Sequence, residues 1–374
     1  MKKRILTGLT LILTVLFSFS LLAAENAAEP AKRKGKKAAM IAKLLPPELS
    51  RSRNLVPEDA IAVGFINAEA IIHGKLFPEI MKAAGVDWDA LLAAAGAKKE
   101  DADACALFYI RLPQLAAPNA DIAQVIADPA VELGGSVVYK RAEAIREQFE
   151  KSAEDVQKEI VGADPDIKDE VKVAKIKVGE RDAFQISIPS CKLTAVCIAA
   201  GRNVVQFRCF FNTPPVLELI PARGEVTPLA ASVNLKSAFA IAADGVRLRA
   251  LAGETQENPE LKAIRRVSLS VTEKEKGLSI VLKIASDLDG VQLIQPQIKT
   301  TIDGLKEDPM MGPIASRTKV SVEDSTNVVV RMFIPSPMVL QFVQLGQQMK
   351  AASDAQSSEP AAAPAPAAEP APAK

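Results

Sequence analysis

Apolar positions along the chain follow two different periods, and the changes between them mark out the elements. Ala60 to Ile66 is a short apolar run between Pro57 and Asn67, which predicts a mostly buried strand. From Arg141 to Ile160 the spacing lengthens. Ile145, Phe149, Val156 and Ile160 share one helical face, while Glu147 and Glu154 stand four residues before Lys151 and Lys158. That pattern predicts a surface helix covering a sheet. Val267 to Thr272 and Leu278 to Ala285 flank the polar stretch Glu273-Lys274-Glu275-Lys276-Gly277, so they read as a hairpin. A helix begun by Ser286 or Asp287, interrupted at Pro296 and stopped by Gly304 comes next. A last helix runs from Met338 to about Lys350.

Laying segments over one another reveals a repeat. Ser136-Val137-Val138-Tyr139-Lys140 matches Ser279-Ile280-Val281-Leu282-Lys283, Lys175 to Val178 matches Lys319 to Val322, and Ile188-Pro189-Ser190 matches Ile334-Pro335-Ser336, at offsets of 143, 144 and 146. Upstream, AVGFINAEA at 62–70 lies over LAASVNLKS at 229–237, with Asn67 over Asn234. The expected fold is α+β: two tandem related units, each a mainly antiparallel sheet covered by helices, loosely a ferredoxin-like βαββαβ layout with added strands. The units span residues 54–215 and 223–350, with NTPP and ARGEVTP interrupting the pattern between them. They either sit side by side or share a sheet.

Three of the four cysteines fall in SCKLTAVCIAAGRNVVQFRCFF, residues 190–211. Leu193, Ala195 and Cys197 on one run, and Val205, Phe207, Cys209 and Phe211 on the next, put an apolar face on the odd positions of both. Opposed residues must then have numbers with an even sum, because a one-residue slip turns a strand inside out. A three-residue loop at Ala199-Ala200-Gly201 gives a sum of 400 and sets Cys191 opposite Cys209, within reach of a disulfide. Cys105, on the strand Ala104 to Leu112, then becomes the partner for Cys197. The competing reading is four buried thiols acting as small apolar residues.

The chain begins with Lys2, Lys3 and Arg4, then 18 residues from Ile5 to Leu22 that include five Thr and Ser, then Ala23, Ala24 and Ala27. This is the layout of a secretory signal over residues 1–24, or of an N-terminal membrane anchor if uncut. A basic flexible arm covers 25–53, with Lys32, Arg33, Lys34, Lys36 and Lys37 suited to weak contact with an anionic membrane surface, or simply solvated. The Ala/Pro-rich tail at 351–374 cannot build a core and should be disordered. The expected location is periplasmic or extracellular.

Composition narrows the function classes. A net charge of +1 and 4% aromatic residues argue against nucleic acid as a partner. The lone histidine, His73, offers one base at most. The cysteine spacings C-x5-C and C-x11-C lack the short pairs of a zinc site. Asp287-Leu288-Asp289-Gly290 resembles part of a calcium loop, but Ala285 and Pro296 occupy two key ligand positions, so helix capping accounts for it better. Asp87 and Asp89 around Trp88, and Asp164, Asp166 and Asp169, read as solvated turns. No catalytic, cofactor or metal residue is assigned and no cofactor is expected. The leading expectation is an exported, non-enzymatic envelope protein that binds or scaffolds an envelope component, with a cleft between its units. The alternatives are an envelope hydrolase with carboxylates gathered by the fold, or a carrier of apolar ligands.

Overall fold

The computed structural model describes residues 46–83, 104–116, 121–139, 143–163, 168–252 and 259–357. The signal segment, the basic arm with Lys32, Arg33, Lys34, Lys36 and Lys37, the residues Asp87, Trp88, Asp89, Asp164 and Asp166, and the tail beyond 357 lie outside the described residues. The strands are β1 Ala62–Asn67, β2 Ala104–Arg111, β3 Val131–Tyr139, β4 Lys172–Val178, β5 Arg181–Ile188, β6 Leu193–Ala199, β7 Val204–Phe211, β8 Phe239–Asp244, β9 Arg266–Lys274, β10 Gly277–Ala285, β11 Lys319–Glu323 and β12 Asn327–Pro335. The helices that matter below are α1 Pro47–Ser52, α2 Ala68–Ile72, α3 Phe77–Ala83, α4 Glu143–Glu150, α5 Ala153–Ala163, α6 Pro228–Ala231, α7 Gly245–Ala252, α8 Leu288–Leu305 and α9 Ser336–Ser357.

All these strands belong to one antiparallel sheet of 12 strands, in the order β11-β12-β10-β9-β8-β1-β2-β3-β7-β6-β5-β4. The class is therefore α+β, and the two stretches of chain share a sheet. Their junction is the β1 and β8 pair, from Ala62 opposite Ala243 to Ile66 opposite Phe239. On one face Val63, Phe65, Ala240 and Ala242 join Leu49 and Leu229 in a continuous buried cluster. That packing closes the junction on this face, where the sequence had suggested a cleft.

Strand alternation gives the sheet two unlike faces. On the first, α4 and α5 pack Ile145, Phe149, Val156 and Ile160 onto Phe184, Ile186, Cys197 and Phe207. Elsewhere on that face, α8 contributes Val291 and Ile294 to a cluster with Ile284 and Val328. Val339 of α9 meets Phe77 of α3 together with Leu278, joining the last described helix to the segment that follows β1. The second face is covered over β1, β2 and β8 by α1, by α6 and by the irregular segment 212–227, which inserts Ile220. Residues 47–52 thus form a helix whose Leu49 is fully buried, although the sequence placed them in the flexible arm.

Several local elements differ from the sequence pattern for identifiable reasons. The helix expected over Arg141 to Ile160 is two helices, because Ser152 Oγ accepts from Asp155 N–H at 3.1 Å to start α5 and Lys175 Nζ donates to the Phe149 carbonyl at 2.6 Å at the end of α4. Pro296 does not interrupt α8; it sits on the exposed side of the helix, away from the packed Val291 and Ile294. The matched segment 229–237 is α6 and a turn, and β8 begins at Phe239. Asn67 and Asp244 nevertheless act alike: each ends a strand and accepts backbone N–H groups of the helix that follows, Ala70 for one and Val246 and Arg247 for the other.

The centre of the sheet depends on two glycines. Phe108 and Tyr109 point to opposite faces of β2, and each lies across from a glycine, Gly64 in β1 and Gly134 in β3. A β-carbon on Gly64 would lie 2.1 Å from the Phe108 ring. Gly64→Ala should therefore lower the unfolding free energy in urea by about 1–3 kcal/mol through overpacking. Gly162→Ala, on α5 with nothing within 4 Å of the new carbon, should be neutral or slightly stabilising. Equal effects of the two substitutions would contradict this account.

Candidate functional site

The four cysteines are free thiols, and their placement corrects the register read from the sequence. β6 and β7 do pair with an even sum, and their odd positions do face the core, but Ala195 lies opposite Cys209 and Cys197 opposite Phe207, giving a sum of 404. The loop closes over residues 200–204, with the Ala200 and Gly201 N–H groups donating to the Val204 carbonyl. Cys191 is drawn out of the strand into a short 3-10 turn that ends in left-handed Lys192, so it does not face Cys209. Cys105 and Cys197 lie on opposite faces, in separate clusters. Burial raises the Cys197 thiol to about 12 and pushes Cys209 up as well, with Cys197 adding to the effect on Cys209. Neither is a thiolate near neutral pH, and thiolate is the nucleophilic form. His73 is exposed at the C-terminal end of α2.

A charge network that the sequence pattern did not single out occupies the second face. Glu132 on β3, 3% exposed, receives the Tyr109 hydroxyl at 2.8 Å and Arg208 through Nε at 3.0 Å and Nη2 at 2.8 Å, all on Oε1. Arg111 Nη1 approaches Oε2 at 3.3 Å, while its Nη2 holds Asp59 at 2.7 Å. Gly134 makes this possible. Tyr109 and Arg208 are its register partners on either side, and a β-carbon there would meet the Tyr109 hydroxyl at 2.4 Å. Arg208 also stacks on Phe210, 5.1 Å from the ring centroid. Burial, and then the Glu132 charge, push the Tyr109 phenol far above its ordinary range, so it stays protonated as a donor. The detectable signal was a single charged residue in each of two otherwise uncharged, mostly apolar strands, VELGGSVVY and VVQFRCFF.

Chemically this network is a lock. Every carboxylate oxygen of Glu132 is engaged, and Arg111 bridges it to Asp59. A general acid or base needs a proton that can move near working pH, and Tyr109 offers none. Among the described residues no group of three or more His, Cys, Asp or Glu is placed to hold a metal ion. Asp287, read as a cap, accepts Gly290 N–H at 2.8 Å, which with Arg265 holds its carboxyl below the usual range.

The open part of the second face lies over β9, β10, β12 and β11. A cavity of about 270 Å³ is set where α6 ends, lined by Pro228, Ser232, Arg266, Ser268, Lys283 and Asn327 among others. Arg266 Nη1 reaches the Pro228 carbonyl at 2.5 Å, forming one wall.

No protein-family model and no curated protein matches the sequence. Solved structures of TP0453 are similar to the chain: crystal form III with a TM-score of 0.40 at 11% identity, covering 79% of this chain and 98% of that one, and crystal form I with 0.40 at 11%, covering 79% and 97%. Crystal form IV gives a TM-score of 0.41 at 10% identity, covering 80% and 96%.

The buried groups set two measurable outcomes. Glu132→Ala strands the Arg208 guanidinium and should cost about 3–5 kcal/mol in urea unfolding, whereas Glu132→Leu combined with Arg208→Met should cost less than that single change. Additive losses would show that the pair is not coupled. In reduced, native protein at pH 8, Ellman's reagent should find one fast thiol, Cys191, which is partly exposed, and four after denaturation. A second fast thiol would contradict the burial of Cys105, Cys197 and Cys209.

Proposed function

We propose that the protein is an exported, non-enzymatic binding module built from two related α+β units. The observation that carries this reading is the division of its charges. Charged groups buried within the sheet are locked to partners, as Glu132 is to Arg208, while the half-exposed charges on one sheet face are mostly cations. Such an arrangement suits holding a ligand and leaves few groups free for proton transfer.

Support for two units comes from the order of elements. β1, helix, β2, β3, helix and the β4–β5 hairpin are followed by β8, helix, β9, β10, helix and the β11–β12 hairpin. Three of the four matched segments fall at equivalent places, β3 with β10, β4 with β11, and the ends of β5 and β12, while 62–70 and 229–237 do not. β10 pairs directly with β12, whereas β7 and β6 stand between β3 and β5. On this reading the first unit gained the cysteine-bearing β6–β7 hairpin as an insertion.

Export is supported by the charged, apolar and small-residue order of residues 1–24. Among the described residues no helix is long and apolar enough to cross a membrane. Expressed in a bacterium, the full chain should appear outside the cytoplasm with an intact mass lacking its first 24 residues. A full-length chain retained in the cytoplasm would overturn the proposal of export.

A further inference from the structure

We infer that the open sheet face over β9, β10, β12 and β11 binds an acidic polysaccharide, with the cavity beside α6 holding one anionic unit of the chain. This rests on the reading of the protein as a binding module and names its ligand class.

Register places four cations on this face in a line that crosses the strands obliquely. Arg266 on β9 is diagonal to Lys283 on β10, because Arg266 pairs with Ala285 and Lys283 with Ser268. Lys283 is diagonal to Arg331 on β12, and Arg331 lies directly opposite Lys319 on β11. Diagonal neighbours in a sheet are about 7–8 Å apart, so the cations form an extended row. Like charges placed directly opposite destabilise a sheet, so the Lys319 and Arg331 pair is a cost to folding that a bound anion would relieve.

The compensating charge is incomplete. Glu323 alone serves both Lys283, at 3.8 Å, and Arg331, spanning Val329 on the strand between them. Val329 is 1% exposed, whereas Lys283 and Arg331 side chains remain 39% and 47% exposed. The other strand carboxylate of this face, Asp244, is taken by α7 through Arg247 and two backbone N–H groups.

The surroundings select among polyanions. Ser268, Ser270, Thr272, Ser279 and Ser321 share the face and offer hydroxyls that can donate to or accept from sugar hydroxyls. Phe333 is the one aromatic side chain on this face of β9 to β12, too little for the base stacking on which single-stranded nucleic acid binding relies. The cavity, about 270 Å³, is smaller than the ~300–1,000 Å³ of sites for drug-sized molecules, which fits one unit of a longer chain running past.

The test uses the full mature chain and fluorescein-labelled polygalacturonate, read by anisotropy at low and moderate salt. Polygalacturonate should bind, more weakly as salt rises, with neutral dextran inert and oligo(dT) of equal charge bound less tightly. R266A with K283A should weaken binding by about tenfold or more, from the loss of charge-assisted contacts. E323Q, which frees Lys283 and Arg331, should tighten it, a gain that misfolding cannot produce. Absence of binding, binding indifferent to these substitutions, or tighter binding of oligo(dT) would each overturn the inference while leaving the binding-module reading standing. Polygalacturonate bound through this face but progressively shortened would instead sink the non-enzymatic reading and keep the site.

Discussion

The pairing of β1 with β8 is the constraint on which the rest of the structure depends. It joins strands from opposite parts of the chain by backbone hydrogen bonds and turns two shorter sheets into one of 12 strands. Backbone groups in a buried sheet must be paired, so this junction cannot open without exposing them. The register then sets which side chains share a face on both sides of it. Val63 and Phe65 meet Ala240 and Ala242 on the buried side, while Ile66 and Phe239 fall on the other. A sheet this wide still has two free edges. β4 carries Lys172, Lys175 and Lys177, and β11 is only five residues long, both recognised ways of discouraging edge-to-edge association.

The same sheet handles charge in two ways along its length. Over β2, β3 and β7 the second face is sealed, and a carboxylate survives there only because a phenol and two guanidinium groups converge on it across Gly134. Over β9 to β12 this face is half-exposed, and its cations share a single engaged carboxylate at Glu323. Burial makes an unpaired charge very costly in the first region, while solvent makes it tolerable in the second. The binding role is assigned to the region where charge remains available to a partner.

Local order was legible wherever one residue type had one physical use. The apolar face of Ile145, Phe149, Val156 and Ile160 was readable because side chains spaced near the helical period line up on one side of a helix, and all four are buried. Asp287 was readable as a cap because a carboxylate before an apolar run has a waiting partner, here the Gly290 N–H. The β9–β10 hairpin was readable from its polar turn ending at Gly277. The even sum for β6 and β7 was sound as well, since it follows from alternation alone, but the loop length was not determined by it. Sums of 400 and 404 satisfy the same face pattern, and the folded hairpin takes 404.

By itself the sequence determined the class of structure, the buried face of elements such as α4, α5, β6 and β7, and the preponderance of antiparallel pairing, because periodicity and turn chemistry act over a few residues. Tertiary structure decided what depends on distant segments meeting: that β1 joins β8, that Cys105 and Cys197 lie on opposite faces, that Glu132 meets Arg208, and that Arg266, Lys283, Arg331 and Lys319 form one row. Sequence spacing carries no record of such meetings. They are set by strand order and register, which the whole sheet fixes together.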